Sequence, residues 1–232
     1  MSNSFPEKEP LYLTELKEFY SAHFSTQDDL NDFIDRSSRY DTENRTPWRM
    51  ILQVQRFVEL ATEIDKIRPW RAGLRILFLK CCMESLAKLS KLDSKAFSAS
   101  FSSSFSEKGK EYILNNFSLF SIESPECEID SEEIGELTIN DILWIIKATR
   151  DIVVHEGNYW EFQFFASDEE STLLTHIETD EQVLSRETYA PHNKQKLTYC
   201  FGTKLLYDKF IYYFVEACII FINNYIDRIK NE

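Results

Sequence analysis

ILWIIKATRDIVVHEG, residues 142–157, is an apolar run that carries one arginine, one aspartate and one histidine and closes on a glycine. Set on a 3.6-residue period, Ile142, Ile145, Ile146, Thr149, Ile152 and Val153 share one face, while Lys147, Arg150, Asp151 and Val154 fall off it. The pattern predicts a helix capped by Asn140 and stopped at Gly157, with one side buried and cations on the other. A guanidinium grips phosphate oxygens in bidentate fashion, and imidazole is the side chain whose protonation ordinarily changes near neutral pH. Residues five apart stand about 140° apart on a regular helix. Arg150 and His155 therefore converge only if the helix ends near His155, or if a second chain completes the site.

Working outward, the chain reads as further helices. Residues 11–24 place Leu13, Leu16, Phe19, Tyr20 and Phe24 near helical spacing, and 26–40 reads as a short helix or irregular connection. A long helix follows, capped by Thr46 with Pro47 in its first turn; its stripe is Trp48, Ile51, Val54, Phe57, Val58, Ala61 and Ile64. Pro69 ends it. From Trp70 the next helix carries Leu74, Leu77, Phe78, Cys81, Leu86 and Leu89 inward, so the two form an antiparallel hairpin. The Ser/Phe-biased segment 96–105 reads as a loop, 107–120 as a helix, and the stretch after it as a solvated acidic linker. Beyond Gly157, residues 159–165, 173–178 and 196–201 are short, aromatic or β-branched and separated by polar turns, which predicts a small antiparallel meander. A long aromatic helix over 204–229 closes the chain.

Composition bounds the class. The 232 residues are 43% hydrophobic with only 5 Gly and 6 Pro, which favours a packed, helix-rich fold. The N-terminal MSNSFPEKEP has no apolar signal core, and the apolar run 210–222 contains Glu216 and is shorter than the ~20 residues a membrane helix needs. Five cysteines without a CxxC pair suggest reduced thiols in a cytoplasmic protein, with no zinc site and no cofactor motif. His23, His176 and His192 are isolated and read as surface residues. Net charge is −13, against non-specific coating of nucleic acid. The charge is uneven, however. Residues 36–91 hold 12 Lys/Arg against 6 Asp/Glu, a local +6, so the remainder carries −19; residues 123–136 hold seven acids and no base. A basic segment of that kind can hold a short RNA strand, with Lys147, Arg71 or Arg75 contributing, or it can pair with the acidic remainder.

The spacing Arg150-Asp151-Ile152-Val153-Val154-His155 resembles the HEPN superfamily, helical-bundle proteins marked by Arg, four to six residues, then His. The polar Asp151 after the Arg and the small Gly157 after the His match that pattern. Glu84, in the segment CCMESLAKL, stands where the family often carries an acidic residue on an earlier helix. The resemblance covers 47–155 and the final helix. It implies a single mainly helical domain over 1–232, a HEPN-like bundle whose core is 46–157 and 203–230. A small antiparallel β insertion at 159–202, before the last helix, departs from the minimal bundle.

The resemblance further implies metal-independent RNA cleavage by a homodimer of the toxin or phage-defence kind. Arg150 and His155 would be catalytic, Asp151 and Glu84 supporting, and Lys147 substrate-binding; RNA and an antitoxin or regulatory protein would be the partners. Two other readings stay open. The same bundle serves as a non-catalytic protein- or RNA-binding module if Arg150 and His155 only close an interface, and the acidic stretch 123–136 suits an antitoxin-like protein with a basic partner. Each site residue also has a purely structural reading: His155 at a helix C-terminus, Arg150 paired with a nearby acid, and Glu84 as an ordinary helix residue.

Overall fold

Two long segments free of breakers become two long helices. The structure, a computed structural model, describes residues 10–40, 45–69, 71–123, 128–130, 136–155, 162–164, 173–179 and 197–231. Helix α1 (Leu11–Tyr20) runs through a 3-10 turn into α2 (Gln27–Arg39), whose cap is Thr26, its side chain accepting from the Asp29 N–H. Helices α3 (Thr46–Ile67) and α4 (Ala72–Ser90) pack along their length as the expected hairpin. Pro47 sits in the first turn of α3, but Thr46 is not its cap. Arg45 takes the cap position in the left-handed region (φ 52°), and Thr46 is the first helical residue, buried. Trp70 lies outside the described residues.

The stripe expected on α4 is out of phase. Ala72, Gly73, Ile76, Leu79, Cys82, Met83, Leu86 and Ser90 are the buried set, and of the residues expected inward only Leu86 belongs to it. The cause is that α4 is apolar nearly all round, so periodicity does not set its phase. Packing against α3 on one side and against the helix of residues 139–155 on the other does.

The segment 96–105 is not a loop. It lies largely within α5 (Ser94–Ser103), which Asp93 caps by accepting the Ala96 N–H at 2.8 Å. Phe97, Phe101 and Phe105 recur every four residues and are buried, Phe97 and Phe101 against Phe221, Phe101 also against Phe214 and Phe105 against Phe101. Helix α6 (Glu107–Asn115) is shorter than expected, because from Phe117 the chain alternates buried and exposed residues and becomes a strand.

That strand, β1 (Phe117–Glu123), enlarges the sheet beyond an insertion between two helices. With β2 (Glu128–Asp130), β3 (Leu173–Thr179) and β4 (Leu197–Thr203) it forms an antiparallel sheet of order β2-β1-β4-β3. β2 falls inside the expected acidic linker. The described part of 159–165, residues 162–164, is not a strand; there Phe162 and Phe164 bridge Phe117 and Phe201 of the sheet to Tyr207 and Phe210.

Between β2 and β3 runs α7 (Ile139–His155), and α8 (Tyr207–Lys230) ends the fold. Helix α7 packs on α4, and α8 on α3. The molecule is thus mainly helical with a small antiparallel sheet before its last helix. No helix among the described residues is long and apolar enough to cross a membrane.

Candidate functional site

The site is built on α7, and α7 is set by its buried side. Ile142, Leu143, Ile145, Ile146, Ala148, Thr149 and Val153 are buried, and the Thr149 hydroxyl donates back to the Ile145 carbonyl at 2.9 Å. This is the expected face, widened by Leu143 and Ala148, except that the Ile152 side chain lies outside what the structure describes. The cap is Thr138 rather than Asn140: the Asp141 N–H donates to Thr138 Oγ1, and the Thr138 N–H and hydroxyl donate to the Asp141 carboxylate at 2.8 and 2.7 Å. That reciprocal box satisfies donors at the helix start. It leaves Asn140 within the first turn, accepting from the Ser98 hydroxyl at 2.5 Å.

With α7 so held, four of the five residues expected in the site come together. Arg150 Nη2 donates to Glu84 Oε1 on α4 at 2.6 Å, and Nη1 donates to Asp151 Oδ1 at 2.5 Å. Lys147 Nζ stands 3.4 Å from Asp151 Oδ2, one turn back along α7. Partial burial works against the Arg150 charge, but the Glu84 hydrogen bond and charge, with those of Asp151, outweigh it and raise the guanidinium above its ordinary range. The clamp fixes the plane of the guanidinium and leaves further N–H donors on a half-buried surface.

Glu84 is thus a partner of Arg150, which its spacing alone could not have established. Sequence reasoning missed Lys80, one turn before Glu84 on α4. Burial lowers its pKa, with Glu84 opposing and Arg150 and Lys147 reinforcing the shift. Three cations (Lys80, Lys147, Arg150) thus face two carboxylates (Glu84, Asp151), a local excess of +1 in a chain of net charge −13. Arg75 is not part of this group: it pairs with Asp65 at 2.9 Å and lies over the Tyr207 ring.

His155 is the residue the structure does not bring in. Helix α7 stays regular through His155, so its side chain projects about 140° around the axis from Arg150. It is exposed, beside the exposed Val154, and four residues beyond Asp151 on one face. Gly157, the expected stop, lies outside the described residues.

Two other histidines are less isolated than their sequence positions suggest; the third, His192, is not among the described residues. His23 stacks on Tyr212 at 4.6 Å between ring centroids, its Nδ1 buried without a partner. His176 lies opposite Cys200 in the β3–β4 register, with Nδ1 at 3.1 Å from the thiol, which also donates to Glu123 Oε1 at 3.2 Å. No sequence signal marks this trio, because only strand register brings residues 123, 176 and 200 together.

Comparison of the chain with protein-family models, curated proteins and solved structures found no match.

Proposed function

We propose that this chain is a HEPN-type endoribonuclease, an effector of the toxin or phage-defence kind that cuts RNA without a metal and works as a homodimer. The observation that carries the reading is the clamp on Arg150, held by Glu84 and Asp151 on the same helix that presents an exposed His155. RNA cleavage beside a ribose needs a base for the 2′-hydroxyl proton and positive charge at the phosphorane oxygens. In the proposed reaction His155 takes the proton, the 2′-oxygen attacks phosphorus, and Arg150 holds the non-bridging oxygens. The leaving 5′-oxygen takes a proton from a second imidazole, and a cyclic phosphate remains.

The 140° between Arg150 and His155 on α7 is why this reading calls for two copies. The exposed Val154 and His155 at the end of α7 suit a two-fold contact in which Arg150 of one copy faces His155 of the other. In a test with single-stranded RNA, Arg150→Ala and His155→Ala each lose about a hundredfold or more in rate. Mixing the two inactive variants restores part of the cleavage, because the mixed dimer retains one intact Arg–His pair while water replaces the second imidazole as proton donor to the leaving oxygen. A mixture that stays inactive contradicts the composite site.

A second reading has one observation in its favour. Arg150 is already engaged by two carboxylates of its own chain, as a structural arginine would be. In that case the bundle is a non-catalytic protein- or RNA-binding or regulatory module, and His155→Ala changes partner binding with no cleavage to lose. A dedicated antitoxin or regulatory protein is the expected partner in either case.

A further inference from the structure

Beside the Arg150 clamp, α4, α5 and α7 leave a narrow, open-sided recess lined by Lys80, Ser94, Ser98, Trp144 and Lys147. Its two lysines come from different helices and face the same opening. Lys80 makes no hydrogen bond or ion pair with any described residue, although most of its length is covered. Glu84 and Asp151 offset part of its charge while Arg150 and Lys147 oppose it, so the partly desolvated ammonium group gains from a further anion supplied from outside. Lys147 also lies 5.4 Å from the centroid of the Trp144 ring, so an aromatic face and two cations border the space beside the apolar Met83, Phe97 and Leu143.

The recess joins the clamp through two parallel links. On α4, Lys80 lies one turn before Glu84, which accepts from Arg150; on α7, Lys147 lies one turn before Asp151, which does the same. One helical turn is about 5.4 Å. Trp144, Lys147, Asp151 and His155 then follow one another at 3.6-residue spacing along the uncovered side of α7. A strand whose phosphate lies at Arg150 therefore reaches the recess with the next unit of its backbone.

We infer that the Lys80–Lys147 recess seats a backbone phosphate of a single RNA strand adjacent to the cleaved one, with the neighbouring base against Trp144. The inference rests on the ribonuclease reading for its polymer but not for its chemistry, which is that of a phosphate between two ammonium groups. It makes Lys80 a positioning residue: it acts on binding of the strand and touches no reacting atom.

The test uses the full chain carrying His155→Ala, so that RNA survives, and a ten-nucleotide oligouridylate followed by fluorescence anisotropy across a salt series. Lys80→Met is expected to weaken binding about tenfold and to reduce the salt slope by nearly one, the loss of a single phosphate contact. Lys80→Arg restores most of both, and Trp144→Leu weakens binding with the slope unchanged. In a background with His155 intact, Lys80→Met raises KM and leaves kcat in place.

Unchanged affinity and slope in Lys80→Met overturn the inference even if wild-type protein cleaves RNA. Lys80-dependent binding without any cleavage keeps the recess and removes the ribonuclease. A third arm offers inorganic phosphate alone; Lys80-dependent binding of phosphate by a protein that ignores the oligonucleotide also overturns the assignment to an RNA strand.

Discussion

At the scale of single residues, position in the fold decides what each titratable group can contribute. Glu84 holds Arg150 from a neighbouring helix while remaining partly open to water, so its loss is felt in orientation more than in stability. Glu84→Gln is expected to lower kcat of RNA cleavage about tenfold with KM held or reduced, and to change unfolding free energy by less than about 1 kcal/mol. Kinetics beside urea unfolding check both; an unchanged kcat would remove Glu84 from the site.

Lys80 carries a sign that separates charge from structure. Its folded pKa lies below the unfolded value because of burial, opposed by Glu84 and reinforced by Arg150 and Lys147, so the unfolded chain binds the proton more readily. The penalty is present at neutral pH and fades as pH rises through the ordinary lysine range near 10.5. Lys80→Met is thus predicted to stabilise the protein at pH 7, and less so at pH 10. His23 follows the same logic at lower pH. Burial lowers its pKa, with Glu216 opposing, so stability falls as pH drops through the ordinary imidazole value, about 6.5, towards the depressed one. Thermal unfolding of His23→Phe between pH 7.5 and 5 should show a flatter profile than the parent; parallel profiles would contradict the assignment.

At the scale of elements, the sequence was most legible where one side of a helix is apolar and the other is not. The face of α7 was readable because Lys147, Arg150 and Asp151 interrupt it, and the α3–α4 hairpin because Pro47 and Pro69 punctuate it. The phase of α4 was illegible for the opposite reason: a helix apolar round most of its circumference, with Lys80, Glu84 and Lys88 in one narrow line, takes its orientation from neighbours on both sides. Helix α5 was hidden behind its serines, although Phe97, Phe101 and Phe105 recur at helical spacing and Asp93 is a good cap. Phe101→Ala should cost about 3–5 kcal/mol, as large truncations in a packed core do, and denaturant melts measure it.

The sheet shows a different limit on sequence reasoning. Strands β3 and β4 read correctly from local pattern, but that β1 pairs with β4 across eighty residues is a tertiary fact. The trio Glu123, His176 and Cys200 depends on that pairing and shares its illegibility. In the candidate site, the Arg150–His155 spacing was legible, and so was the geometric obstacle it carries. The Glu84–Arg150 contact and the recess at Lys80 depended on how α4 rotates against α7, which the periodicity misplaced.

At the scale of the whole molecule, an acidic chain presents, among its described residues, a small patch with a positive excess near an exposed histidine. Such a protein gains little from general attraction to nucleic acid, so in the proposed function affinity for RNA comes from that patch and falls steeply with salt. The most direct measurement is incubation of purified wild-type protein with total cellular RNA in excess EDTA, beside His155→Ala. The account predicts cleavage by the wild type that persists in EDTA and disappears in the variant. Equal cleavage by both proteins, or none by the wild type even in the presence of its partner protein, would contradict it.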